Sequence, residues 1–77
     1  MIDFTRDLNE LAVFAARFGI APKDAYVLPA LFDNAAAKAG LPVRALLAQA
    51  TYSNQKLGEY LAEAARKVAQ EDQANAA

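Results

Sequence analysis

Apolar residues recur along this chain at spacings of three and four, the signature of helices with one buried face. Phe4, Leu8, Leu11, Ala15 and Phe18 form the first such stripe and predict a helix from Asp3 to Phe18. Asp3 or Thr5 suits its N-cap, while Asp7 and Glu10 sit towards the positive end of its macrodipole. Arg6 and Glu10 stand four apart on its solvated side. Gly19 reads as a left-handed residue closing the helix, with Ile20 placed for the hydrophobic contact that accompanies such a cap. Val13 falls near the middle of the polar face.

Two prolines shape the next stretch. Pro22 suits the first turn of a helix, where its missing N–H costs nothing. Pro29 would collide with the carbonyl of Ala25 inside a continuous helix, and the residue before a proline is pushed away from α. A segment over 22–39, broken or kinked at Pro29, is the expectation, with the break preferred. Leu28, Leu31, Phe32, Ala35 and Ala39 give its stripe, and Gly40 ends it.

Pro42 opens a third helix over about 42–52, with Val43, Leu46, Leu47 and Ala50 facing inward. A polar turn at Thr51–Asn54 follows, with Ser53 as the expected N-cap of a fourth helix and Thr51 as its competitor. That helix, over about 54–70, shows Leu57, Tyr60, Leu61, Ala64 and Val68 on one face. Past Gln70 the apolar stripe stops, so residues 71–77 are expected to form a disordered tail. No strand pattern or internal repeat occurs. The prediction is one all-α domain over 1–70, a compact four-helix bundle or orthogonal helix array.

Composition changes this picture in one respect. More than half of the 77 residues are apolar, yet about a quarter are alanine, which buries little area each. Burial at roughly 25 cal/mol per Å² must offset an ordering entropy on the order of 1–2 kcal/mol per residue. A thin core of this kind predicts marginal stability or extra burial through self-association.

The net charge of −1 argues against a general polyanion binder, but it hides a gradient. Residues 1–37 carry three basic and five acidic groups. Residues 38–67 carry Lys38, Arg44, Lys56, Arg66 and Lys67 against Glu59 and Glu63 only. Glu71 and Asp72 follow in the tail. The absence of cysteine fits a reducing compartment. The start lacks the features of a signal peptide, and the longest apolar run, Leu11–Ala16, is far short of the ~20 residues that span a bilayer. A soluble cytoplasmic protein with no membrane association is the expectation.

Candidate chemistry is sparse. With no histidine and no cysteine, the commonest metal ligands, the usual general base and the best nucleophile are missing. No metal and no cofactor is expected. Asp3, Asp7 and Glu10 read as helix-start residues. Ser53-Asn54-Gln55-Lys56 matches the Ser-x-x-Lys nucleophile pattern by letter, but the Ser-Asp-Asn and Lys-Thr-Gly elements that chemistry requires do not occur, so Ser53 reads as a cap. The chain is not expected to be an enzyme.

Two readings remain. The first is a small helical protein-interaction or regulatory module, a homodimer or a binder of another protein. Its candidate contacts are Val13, Phe14, Tyr52, Ala62 and Ala69, which the helical wheels place off the core faces. Tyr52 combines a large apolar area with a polar tip, as interface residues do; folded back onto the first or second helix it would instead be core. The second reading makes the third and fourth helices a helix-turn-helix DNA binder. Asn54, Gln55 and Lys56 would then face base edges, with Arg44, Arg66 and Lys67, together with Lys38, on phosphates. Glu59 and Glu63 on the exposed face oppose this, Glu63 and Lys67 stand as an ordinary i,i+4 pair, and the turn lacks the usual glycine. The interaction reading is preferred.

Overall fold

The computed structural model describes residues 8–75, and it is all-α: among them no strand occurs. Helix α1 spans Leu8–Arg17, a 3₁₀ segment Pro22–Val27, α2 Leu28–Ala39, α3 Val43–Ala48, a single π turn Gln49–Ser53, and α4 Gln55–Asn75. The expected helix start at Asp3, with Phe4 in its stripe and Thr5, Arg6 and Asp7 in its first turns, lies outside the described residues. So do Ala76 and Ala77.

Both glycine caps form as their sequence positions dictate. Gly19 has φ +68° and Gly40 has φ +69°, the left-handed conformation that costs a glycine least. The N–H of Ile20 reaches the carbonyl of Ala15 at 2.9 Å, and that of Leu41 reaches Ala36 at 3.0 Å. Each bond satisfies a carbonyl that the helix end would otherwise leave unpaired. Ile20 is buried, as the cap requires.

The break before Pro29 takes a gentle form. Leu28 keeps right-handed helical angles (φ −62°, ψ −43°) and donates its N–H to the carbonyl of Ala25. The chain thus tightens to 3₁₀ over Pro22–Val27 and relaxes to α from Leu28. Pro29 falls in the first turn of α2, where its lacking N–H is harmless. The expectation that Leu28 would leave the α region is not met.

Between α3 and α4 the turn is also a helical one. The N–H of Asn54 bonds to the carbonyl of Gln49 at 2.7 Å, five residues back. Asn54 then leaves helical geometry (φ −133°, ψ 89°), and its Oδ1 accepts the N–H of Leu57 at 3.1 Å. Asn54, not Ser53 or Thr51, therefore caps α4. The π turn carries the helix one residue further than the sequence pattern indicated.

The core is built on Phe14 and Phe32, both fully buried, with ring centroids 5.0 Å apart and planes at 86°. Phe18 leans on Phe14 at 4.9 Å. Leu28 of α2 joins them, and Val43, Leu46, Leu47 and Ala50 all point inward as predicted.

On α4 the buried side differs from the predicted one. Leu61, Ala62, Ala65 and Ala69 are buried, while Tyr60 is 70% and Val68 45% exposed. Gly58 explains the rotation. A methyl group there would overlap the carbonyl oxygen of Ala50 and the ring of Phe18. Small residues at 58, 62, 65 and 69 let α4 lie close against its neighbours, and a helix turned to bury Tyr60 could not.

Residues 71–75 are helical, which corrects the expected disorder of that stretch. Although the apolar stripe stops at Ala69, polar side chains continue the same face. Tyr26 Oη donates to Asp72 Oδ2 at 2.6 Å, and Gln73 Nε2 donates to Asp24 Oδ1 at 2.9 Å. Both bonds tie the end of α4 to the 3₁₀ segment. The Asp72 carboxylate accepting its proton is the main cause raising the Tyr26 phenol above its ordinary value, with desolvation and the nearby Asp24 charge adding to it. The 21-residue α4 sets the long dimension of the molecule, 36 Å against 23 and 22 Å.

Candidate protein-interaction surface

The rotation of α4 that buries its small residues leaves its larger ones outside. Leu57, Tyr60, Ala64 and Val68 stand at i, i+3, i+7 and i+11, one helical stripe. Leu57 and Ala64 are half-buried, and Tyr60 and Val68 are exposed. Across from them α2 presents half-buried Leu31 and Ala35 with exposed Ala39. Leu57, Tyr60 and Ala64 of α4 and these α2 residues, with Leu46 and Leu61 at the floor and Asn34 and Lys38 at the edge, line an open groove of about 400 Å³. Its walls are aliphatic and aromatic, and Lys38 is the charge among its lining residues. A contiguous apolar groove of this sort, rimmed by polar groups, is the usual mark of a contact surface.

The interface residues expected from sequence divide. Val13 is 42% exposed and Tyr52 61% exposed, so both reach the surface, but on elements other than the groove. Phe14, Ala62 and Ala69 do not. All three are buried within the chain, and their removal from solvent corrects the expectation that they meet a partner. Phe14 packs between Phe18 and Phe32, and the two alanines belong to the close-approach face of α4. The sequence pattern instead points the groove residues at the core. Their signal was present as an unbroken small-residue pattern at 58, 62, 65 and 69, which competes with the larger stripe for the inward direction.

Residues named for nucleic-acid contact are distributed as follows. Asn54, Gln55 and Lys56 are exposed together at the start of α4. Asn54 Oδ1 is engaged as the helix cap, and Gln55 Nε2 donates to Glu59 Oε1 at 3.1 Å. Arg66 Nη2 donates to the carbonyl of Phe18 at 2.5 Å, stitching α4 to the end of α1. Lys67 is exposed on α4 and Arg44 on α3. A second depression, of about 660 Å³, lies between Arg17, Phe18, Gln55, Glu59, Ala62, Glu63 and Arg66. Its two arginines and two glutamates cancel, so it offers no net charge to an anion or a cation.

Ser53 and Lys56 are both exposed. Among the described residues no group of three or more acidic side chains could hold a metal ion. No helix of the described residues is long and apolar enough to cross a membrane. Comparison of the chain with protein-family models, with curated proteins and with solved structures returns no match.

Proposed function

We propose that this chain is a small, non-catalytic helical interaction module that self-associates through the groove between α2 and α4. The observation that carries the reading is the outward stripe of α4, where Tyr60 is 70% and Val68 45% exposed beside half-buried Leu57 and Leu31. A tyrosine standing over an aliphatic groove offers a large apolar area with a polar tip, the combination favoured at protein interfaces. The thin, alanine-rich core supports the reading from the energetic side, since covering this face adds apolar burial that the monomer lacks.

The DNA-binding alternative draws less support. Of the groups it would use, Asn54 is occupied as a cap, Gln55 is bonded to Glu59 and Arg66 is bonded to Phe18. Glu59 and Glu63 stand exposed on the face that would meet phosphates. Sedimentation equilibrium over a concentration series tests the interaction reading. A mass rising from monomer towards dimer is expected, at micromolar or higher concentration because the surface is narrow. A monomer mass throughout would overturn it.

A further inference from the structure

Ala69 is the last buried residue of α4, and residues 70–74 beyond it are all exposed. A helix end of this kind frays in isolation, because little burial offsets its ordering entropy. Here two side-chain bonds hold it to the 3₁₀ segment, Tyr26 to Asp72 and Gln73 to Asp24. The pairing is reciprocal: each element supplies one donor and one carboxylate. The 3₁₀ side is the fixed half. Val27 and Leu28 anchor it in the core. Pro29 has no N–H to give the Ala25 carbonyl, which takes that of Leu28 instead.

We propose that residues 70–75 are a clasp that opens while the core stays closed, and that the Tyr26 hydroxyl is its control point. The clasp rests on bonds within one chain and is independent of the self-association reading. Tyr26 is 54% exposed while it holds Asp72, so the control point stands at the surface. Its proton makes the contact attractive, since an O–H donor to a carboxylate forms a charge-assisted bond. A phosphoryl group in place of that proton would set negative charge against Asp72, and the Asp24 charge acts on the same phenol. The tie would become a repulsion.

Amide hydrogen exchange at neutral pH, followed residue by residue with NMR, tests the clasp. Three chains are compared: the unmodified one, Tyr26→Phe, and a synthetic chain phosphorylated on Tyr26. Tyr26→Phe keeps the ring and removes only the donor. Protection at residues 72–75 is expected to fall about threefold to tenfold, as for one exposed hydrogen bond. The phosphorylated chain should lose more. Gln73→Ala, which removes the second bond, should lower protection over the same residues. Leu28, Leu61 and Ala65 should keep theirs in every chain, because they belong to the fixed half and the core.

Unchanged protection at residues 72–75 in either the Tyr26→Phe or the phosphorylated chain would overturn the hydroxyl as control point. A loss that spreads equally to Leu28, Leu61 and Ala65 would overturn the clasp as a unit that opens apart from the core.

Discussion

Gly58 of α4 lies so close to Phe18 that a methyl group on it would stand 2.7 Å from Cε2 of that ring, and nearer still to the carbonyl oxygen of Ala50. Replacing a glycine inside a helix by alanine ordinarily stabilises by about 1 kcal/mol. Here the backbone carbonyl cannot yield as a side chain could, so the sign should reverse. Gly58→Ala is expected to lower unfolding free energy by about 1–3 kcal/mol, as overpacking does. Chemical denaturation compared with the unmodified chain measures it.

Thr51 is 2% exposed and its Oγ1 has no hydrogen-bond partner among the described residues. Burying a hydroxyl unpaired costs on the order of 1–3 kcal/mol. Thr51→Val keeps the shape and removes the polar atom, so it should stabilise by about 1 kcal/mol. Thermal unfolding would then shift upward by about 4–8 °C for a domain of this size.

The Tyr26–Asp72 hydrogen bond needs the phenol protonated. Since folding raises the Tyr26 value, the stability it contributes is fully present below the ordinary tyrosine value of about 10 and lost as pH climbs through the folded value. Tyrosinate absorbance should therefore include a late-titrating step that Tyr26→Phe removes. Amide exchange near Asp72 should quicken over the same alkaline window in the unmodified chain. A Tyr26→Phe curve that loses no late step relative to the unmodified chain would contradict the bond.

Duplex DNA of mixed sequence, titrated at low salt and followed by fluorescence anisotropy, should give no binding. Phosphate neutralisation makes even specific readers bind non-specifically at low salt. Clear binding that weakens steeply with added salt would instead favour the DNA-binding alternative and turn attention to Lys56, Arg44 and Lys67.

Much of the fold was legible in the sequence because local chemistry decides it. Gly19 and Gly40 cap their helices, Pro22 and Pro29 sit in first turns, and Val43, Leu46, Leu47 and Ala50 all face the core. The side of α4 that turns inward was not legible. Hydrophobic periodicity weights Tyr60 and Val68 by size, whereas the inward side follows the small residues Gly58, Ala62, Ala65 and Ala69, with Gly58 tight against Ala50 and Phe18. That approach is a relation between distant parts of the chain. The helical state of residues 71–75 is not legible for the same reason, since their partners Tyr26 and Asp24 lie more than forty positions away. The candidate surface follows from that rotation: residues that periodicity points at the core form the face left outside.

The most direct test of that face is a dilution series of two-dimensional amide NMR spectra. Self-association through the groove should move the signals of Leu31, Ala35, Leu57, Tyr60, Ala64 and Val68 with concentration, leaving those around Val13 and Tyr52 still. Spectra that do not change across the series, or changes confined to Val13, Tyr52 or the Asn54–Lys56 turn, would contradict the groove as the contact surface.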